Sequence, residues 1–282
     1  MKCLILAVVV LLACVGKTHA ASAEVDIGLG YSHLSLDGSE RFKDRDGVRV
    51  EPRISFAPSE SRPELRLGFG LGISGYSQGG QASSWAAELQ AKYAPELNVK
   101  GVLTGGVPSD MVKLVNHLDG NPTGGAGFAL ASLVGLDFAH PELALEDRLT
   151  PEGQQVIDRV KDSCYVEDFA TFGTTTTGEV TEPDVLSDSA WIDRYSRSTL
   201  GTTAPRAPTY VYHGTLDTIV PFALGKEMFH SWCERGATST FEALPGLEHL
   251  SGNTLGPTRG LDWLVDRLHG IEAEPGCHEL EP

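Results

Sequence analysis

The last third of this chain alternates short apolar strands with amphipathic helices, and this alternation constrains the fold more than any other feature. Periodicity predicts strands at Thr209–His213 and Thr238–Leu244, and helices at Phe222–Arg235 and Thr258–Leu268. A strand, a helix and a second strand in this order form a crossover between parallel strands. We therefore expect an α/β fold built on a parallel sheet, in a chain of 282 residues that can hold one domain plus an insertion.

The pattern Gly-x-Ser-x-Gly stands at residues 75–79, between a predicted strand and a helix predicted over Gln81–Tyr93. Glycines two positions before and after the serine permit a tight strand-to-helix turn. Such a turn would expose Ser77 at the helix N-terminus, where the helix dipole favours a developing alkoxide. Ser77 is therefore a candidate nucleophile, and the backbone N–H of Gln78 is a candidate oxyanion donor. The alternative is a Gly/Ser turn that continues a glycine-rich strand.

Two further polar residues follow strands of the same predicted sheet. Asp217 comes just after one strand and His249 after the next. Taken alone, Asp217 is more typical of a helix N-cap, and His249 of a solvated loop histidine. The order Ser, Asp, His, each after its own strand, is that of α/β-hydrolase triads. Ser77 would attack an ester carbonyl, His249 would carry the proton to the leaving alcohol, and Asp217 would fix the imidazole tautomer.

The segment Met1–Ala20 has a charged start, a short apolar run and a small-residue exit. These features are typical of a secretory signal, and the segment is too short for a stable membrane span. The alternative is a buried N-terminal helix. Removal of the segment takes away Lys2 and Lys17 and leaves 20 basic against 38 acidic residues, a net charge of −18. That charge argues against nucleic acid or an anionic membrane as partner, and it suits a secreted or extracytoplasmic protein.

Residues 21–74 differ in character from the rest of the chain. Val25–Leu36 and Leu65–Ile73 alternate between apolar and other positions, which predicts strands. Glycine at almost every second position of Leu65–Ile73 is unusual in a central parallel strand and more typical of a β-barrel strand of the outer-membrane type. We therefore expect an atypical β-rich segment here, with the N-terminal part of the sheet missing or replaced.

Longer stretches of the chain resemble the secretory lipase family, the relatives of yeast lipase A. The resemblance is carried by GYSQGGQASSWAAELQAKYAPELNVKGVLTGG at Gly75–Gly106, by YVYHGTLDTIVPFALGKEMFHSWCERGATSTFEALPGLEHLSG, and by RGLDWLVDRLHG before Cys277. It covers about residues 75–277 and implies a triacylglycerol or carboxylic ester lipase with no cofactor, acting on lipid esters at an oil–water interface. Ser77, Asp217 and His249 match the family's triad position by position.

The same resemblance implies an α/β-hydrolase core at 75–107 and 206–277, interrupted by a helical cap or lid at 108–205. This insertion is rich in helical segments punctuated by Gly and Pro, and its residues 171–182 have the composition of a Thr/Gly-rich loop. The apolar stretch Phe128–Ala139 is either a cap helix that lines an acyl tunnel or part of the cap core. The sequence leaves both interpretations open.

Beyond the predicted signal, the cysteines are Cys164, Cys233 and Cys277, an odd number for an oxidising compartment. The family resemblance implies a disulfide between Cys233 and Cys277, and the alternative is two unpaired thiols. Cys164 would then be a cysteine whose partner lay in a missing segment. No C-x-x-C or His-x-x-His cluster indicates a metal site.

The chain departs from the family pattern before the serine. Family members carry a long segment there, with the first strands and a His-Gly type motif that supplies a second oxyanion donor. Here His33 is followed by Leu34, and His213-Gly214 comes after the serine. We therefore expect a fusion, a truncation or a misassigned start near Ser74–Gly75, which would lower activity. The competing interpretations are an active lipase or esterase, a non-catalytic hydrolase remnant, and a surface-binding protein that uses the N-terminal strands.

Overall fold

The computed structural model describes residues 70–123, 125–163 and 171–280, together with the backbone of three short strands before residue 70. The described residues divide into two compact units. The helical unit comprises Ser109–Thr199 and Thr218–Pro221, and the sheet unit comprises the other described residues. Several predictions fall on residues outside the described set: the signal Met1–Ala20 apart from Leu12–Cys14, the strand Val25–Leu36, and Cys164.

The sheet unit is organised around a sheet of six described strands. The described strands are β1 (Leu12–Cys14), β2 (Ser55–Pro58), β3 (Pro63–Arg66), β4 (Gly70–Tyr76), β5 (Val99–Gly105), β6 (Thr209–Gly214), β7 (Ser239–Leu244) and β8 (Cys277–Leu280). The sheet order is β1-β4-β5-β6-β7-β8, and β2 and β3 form a separate antiparallel pair. Strands β4 to β8 run parallel, while β1 is antiparallel to β4. The predicted α/β architecture with a parallel sheet is confirmed.

Helices connect the parallel strands and fill the helical unit. The α-helices of the described residues are α1 (Gln78–Tyr93), α2 (Met111–Leu118), α3 (Ala126–Ala139), α4 (Pro151–Asp162), α5 (Thr177–Val180), α6 (Ser189–Ser196), α7 (Phe222–Glu234), α8 (His249–Leu255) and α9 (Pro257–Leu268). The helices and strands predicted between Gln81 and Leu268 agree with this structure within a few residues. Strand β8 was not predicted, because its four residues, Cys-His-Glu-Leu, carry no apolar periodicity.

The predicted strand Leu65–Ile73 overlaps two described strands that belong to different sheets, and its residues 67–69 lie outside the described set. Strand β3 ends at Arg66, and β4 begins at Gly70 and continues to Tyr76. Strand β4 pairs in parallel with β5, and β5 pairs in turn with β6. The barrel-type interpretation is therefore wrong for residues 70–74, which belong to the α/β sheet itself.

Helix α9 packs closely against one glycine in each of the strands β4 and β5. A Cβ atom at Gly72 would lie 3.2 Å from Leu264 Cδ1, and a Cβ atom at Gly101 would lie 3.0 Å from Trp263 Cζ3. Leu264 itself is fully buried. Glycine in a strand interior is typical of a site where another element approaches closely, and here that element is a helix.

Apolar clusters lie on both faces of the sheet. Successive residues of β6 point to opposite faces, so Val211 belongs to one cluster while Tyr210 and Tyr212 belong to the other. The first cluster contains Met228, Phe229 and Trp232 of α7 with Val107, Leu200, Ala237 and Phe241. The second contains Leu103, Leu244 and Leu264. The sheet is thus covered on two sides, as expected for parallel strands.

A buried carboxylate joins helix α1 to helix α7. Glu88 of α1 is 3% exposed and accepts hydrogen bonds from Trp232 Nε1 at 2.8 Å and from the backbone N–H of Gly201 at 2.5 Å. The N–H of Thr203 donates to the second oxygen at 3.3 Å. Because these donors satisfy the carboxylate, Glu88 is a structural residue of the sheet unit.

The helical unit has its own core and its own helix caps. Leu130, Leu133, Ile157 and Trp191 are fully buried within it. The residues 171–182, predicted as a loop, contain helix α5, whose N-terminus is a capping box formed by Thr176 and Glu179. The sequence signal T-x-x-E was present there, and it specifies a helix start. The assignment of residues 108–205 as a cap remains a prediction.

Helix α3 corresponds to the apolar stretch predicted at Phe128–Ala139. Leu130 and Leu133 on this helix are inaccessible to solvent, whereas Phe138 near its end is 74% exposed. Among the described residues, no single helix has the length and apolar character needed to cross a bilayer. Helix α3 meets those criteria only together with Pro141–Arg148, across a bend of 110°.

A disulfide joins Cys233 of α7 to Cys277 at the start of β8, with an S–S distance of 2.02 Å and a sequence separation of 44 residues. Strand β8 pairs with β7 through the register Ser239↔Cys277. The closed loop includes β7, α8 and α9, and so it includes His249. The pairing that the family resemblance implied is thus present in the structure.

Candidate active site

Ser77 occupies the turn between β4 and α1 in a backbone conformation that few residues adopt. Its φ of 56° and ψ of −121° lie outside the regions favoured by L-amino acids. The Ser77 N–H donates to the Gly105 carbonyl of the neighbouring strand at 2.9 Å, which holds the turn against the end of β5. Such strain on a serine at a strand-to-helix junction is the geometry of a nucleophile elbow.

Two glycines make this turn sterically possible. A Cβ atom at Gly75 would lie 2.0 Å from the Gly79 carbonyl oxygen, and one at Gly80 would lie 2.5 Å from the Gly105 carbonyl oxygen. By contrast, a Cβ atom at Gly79 would meet nothing within 4 Å. The explanation given for Gly79 from the sequence pattern is therefore wrong. Close backbone contacts require glycine at positions 75 and 80 instead.

Asp217 lies beyond the end of β6, at the carboxyl edge of the sheet, and its side chain is 0% exposed. The Asp217 N–H donates to the Gly214 carbonyl at 3.3 Å, so a tight turn follows the strand. Carboxylate oxygen Oδ2 lies 2.7 Å from Nδ1 of His249. The sequence left open whether Asp217 caps a helix or faces a histidine, and in the structure it faces the histidine.

His249 is the first residue of helix α8, where the sequence indicated a loop. Its side chain is 10% exposed, so it is not a solvated loop histidine. Ring nitrogen Nε2 lies 2.8 Å from Ser77 Oγ, while Nδ1 faces Asp217. The structure therefore brings the three predicted residues together in one line of hydrogen bonds, from carboxylate to imidazole to hydroxyl.

Tyr76, next to the serine, supports the histidine from a second side. Its hydroxyl donates to the backbone carbonyl of His249 at 2.6 Å, and the two ring centroids are 5.1 Å apart. Burial raises the pKa of the Tyr76 hydroxyl far above its usual range, and the Asp217 carboxylate raises it further. The hydroxyl therefore stays a hydrogen-bond donor at neutral pH. The sequence did not indicate this role for Tyr76, because the Gly-x-Ser-x-Gly pattern allows any residue at that position.

His213 is a second residue that sequence reasoning did not assign to the site. In the sequence it stands in a His-Gly pair that comes after the serine, whereas the family's oxyanion motif comes before it. In the structure its side chain is 0% exposed, and its Nε2 lies 3.3 Å from Asp217 Oδ2. It therefore contacts the same carboxylate oxygen that His249 contacts.

Gln78 begins helix α1 immediately after Ser77, and its side chain is exposed. The first backbone N–H groups of a helix have no partner within the helix, and they carry the positive end of its dipole. The position therefore suits an oxyanion donor, although that role remains a prediction. Among the described residues, no group of three or more His, Cys, Asp or Glu side chains is placed to hold a metal ion.

The arrangement can move a proton between a hydroxyl and an imidazole. His249 Nε2 is within reach of the Ser77 proton, and Asp217 at Nδ1 favours both the required tautomer and the cationic ring. A serine activated in this way is a nucleophile for acyl transfer.

Two fungal lipases are similar to this chain over most of its length. The secreted triacylglycerol lipase LIP7 of Malassezia globosa is 33% identical over 213 residues, which are 72% of this chain and 45% of that protein. Lipase A of Moesziomyces aphidis is 29% identical over 246 residues, which are 82% of this chain and 51% of that protein. The chain spans about half the length of these relatives.

Solved structures show the same fold. Candida antarctica lipase A matches with a TM-score of 0.70 at 28% identity, over 76% of this chain and 52% of that chain. The rice cell wall degrading esterase LipA of Xanthomonas oryzae matches with a TM-score of 0.56 at 16% identity, over 70% of this chain and 57% of that chain, and supports the fold alone. The α/β-hydrolase fold is thus confirmed. The model of the family described as secretory lipase matches residues 67–276, and this chain belongs to the secretory lipase family.

Proposed function

We propose that the chain is a secreted serine hydrolase that cleaves carboxylic esters of lipids through an acyl-enzyme on Ser77. The observation that carries this proposal is the continuous line of hydrogen bonds from Asp217 through His249 to the Ser77 hydroxyl. The names of the relatives, which are secreted triacylglycerol lipases, support lipid esters as the substrate class and secretion as the location. The substrate would be presented at an oil–water interface.

In the proposed reaction, Ser77 Oγ attacks the ester carbonyl while His249 Nε2 takes its proton. The tetrahedral intermediate carries an oxyanion, which the backbone N–H of Gln78 stabilises at the start of α1. His249 then gives the proton to the departing alcohol, and the acyl group remains on Ser77. A water molecule, deprotonated by the same imidazole, releases the fatty acid and restores the serine.

The test compares the wild-type chain with Ser77→Ala on p-nitrophenyl esters of graded acyl length. We expect wild-type turnover, and we expect a loss of at least about a thousandfold in kcat for Ser77→Ala, because a triad serine acts as a unit with its base. Ser196→Ala, at an exposed serine of α6, is the matched control and should keep full activity. Thermal unfolding of all three proteins should be similar.

A fluorophosphonate probe gives an independent readout of the same proposal. It should label the wild type and the Ser196→Ala control with one equivalent and leave Ser77→Ala unlabelled. A folded wild-type chain that the probe does not label and that hydrolyses no ester would contradict the proposal. That result would favour a non-catalytic member of the family.

A further inference from the structure

The triad carboxylate has a second buried histidine beside it. His213 lies near the end of β6, and Asp217 follows it four residues later, beyond the end of the strand. Nε2 of His213 lies 3.3 Å from Asp217 Oδ2, and Nδ1 of His249 lies 2.7 Å from the same oxygen. The side chains of His213 and Asp217 are both 0% exposed. Two imidazoles therefore share one carboxylate oxygen away from solvent.

The His213 ring is held in place by its neighbours on helix α7. Its edge-to-face contact with Phe222 has a centroid distance of 5.8 Å. A Cβ atom at Gly225 would lie 2.3 Å from His213 Nδ1, so the helix backbone lies directly against the ring. A ring packed this closely keeps its rotamer, and its Nε2 stays directed towards Asp217.

We infer that His213 is a positioning residue, which holds the Asp217 carboxylate in the orientation that His249 needs. In its Nε2–H tautomer, His213 donates to Oδ2 and satisfies part of the hydrogen-bonding capacity of a carboxylate that is 0% exposed. A second donor on the same oxygen restrains rotation about χ2 of Asp217 and keeps Oδ2 against His249 Nδ1. The catalytic consequence rests on the proposed function, but the geometric role does not.

The experiment compares two variants of similar volume. His213→Gln keeps an N–H donor near the position of Nε2, whereas His213→Leu removes the donor. With a p-nitrophenyl ester, His213→Leu should lower kcat by about 10- to 100-fold with little change in KM, because misplacement of a catalytic group acts on the chemical step. His213→Gln should recover most of this loss. Tyr210→Phe on the same strand, which removes the hydrogen bond to Glu242 at 2.8 Å, should leave kcat unchanged.

Labelling of Ser77 separates positioning from damage to the fold. If His213 positions the carboxylate, the fluorophosphonate should label His213→Leu to the same final stoichiometry as the wild type, but at a rate reduced in proportion to kcat. A lower final stoichiometry with a wild-type rate for each active molecule would overturn the inference, since it would show only a smaller folded fraction.

A readout that does not depend on catalysis is the downfield proton resonance of His249 Nδ1–H, which reports its hydrogen bond to Asp217. We expect this resonance in the wild type and in His213→Gln, and we expect it to be broadened or lost in His213→Leu. An unchanged resonance and an unchanged kcat in His213→Leu would refute the positioning role. A wild-type chain that shows the resonance but turns over no ester would refute the proposed function and leave the positioning role standing.

Discussion

At the scale of single residues, the site depends on backbone conformations and close approaches as much as on functional groups. Ser77 has a positive φ although it is not glycine, and conformations of this kind cost about 1–3 kcal/mol. The hydrogen bond from its N–H to the Gly105 carbonyl holds it there, and glycine at position 75 leaves room for the Gly79 carbonyl. The reactive hydroxyl is therefore oriented by atoms that take no part in the reaction.

Gly75→Ala and Gly79→Ala make a matched pair that tests this account. The new methyl group of Gly75→Ala would lie 2.0 Å from a backbone oxygen, so we expect a loss of more than about 2 kcal/mol in the free energy of unfolding. The methyl group of Gly79→Ala enters open space at the start of a helix, and we expect no loss and a gain of up to about 1 kcal/mol. Urea denaturation midpoints measure both. Equal midpoints for the two variants would contradict the steric argument.

At the scale of elements, the C-terminal strand relies on a covalent link. Strand β8 has four residues, of which none is buried, and it pairs only with β7 among the described strands. An ion pair between Lys226 of α7 and Glu279 of β8 has an N–O distance of 2.9 Å, but both side chains are well exposed. Exposed ion pairs of this kind contribute little to the free energy of unfolding. The disulfide between Cys233 and Cys277 is therefore the main connection of β8 to helix α7.

We expect the double substitution Cys233→Ser with Cys277→Ser to destabilise the protein by about 4 kcal/mol in the chain-entropy model, for a closed loop with a sequence separation of 44 residues. The control Lys226→Ala, which removes the neighbouring ion pair, should cost less than about 1 kcal/mol. Urea unfolding under non-reducing conditions gives both values. If the double variant unfolds at the wild-type midpoint, β8 must be held by its other contacts.

At the scale of the whole molecule, buried tyrosines link stability to alkaline pH. Burial raises the pKa of the hydroxyls of Tyr76, Tyr210 and Tyr212 well above the usual value for tyrosine, and for Tyr210 the hydrogen bond to Glu242 raises it further. All three belong to the sheet unit, where Tyr76 stacks on Tyr212 at 5.8 Å. Their protonated forms are therefore favoured by the fold.

The sign of the pH dependence follows from these shifts. The folded-state pKa values lie above the unfolded value of about 10, so the stability contributed by these tyrosines is complete below about pH 10 and is lost as the pH rises above it. We expect the tyrosinate absorbance of this group to appear together with the loss of near-ultraviolet circular dichroism. In Tyr212→Phe, the amplitude of the tyrosinate absorbance change that accompanies this loss of circular dichroism should fall. Ionisation of all tyrosines near pH 10 with intact circular dichroism would contradict this prediction.

The residues that form the proposed triad could be found from the sequence because each signal is local. A strand, a Gly-x-Ser-x-Gly turn and a helix place Ser77 at the carboxyl edge of a parallel sheet, and Asp217 and His249 follow later strands of that sheet. The carboxyl ends of parallel strands meet at one edge, so the order of the residues was enough to predict their meeting. Gly72 of β4 was misinterpreted, because the element that packs against it, helix α9, lies nearly two hundred residues further along the chain.

Local patterns in the sequence thus determined the α/β class, the family and the identity of the three aligned side chains. Only the tertiary structure decided which groups support them: the Tyr76 hydroxyl on the His249 carbonyl, His213 beside Asp217, and glycine at position 80 rather than 79. The physical reason is that periodicity reports which face of an element is apolar. It does not report which polar atoms come within hydrogen-bonding distance once distant elements have packed.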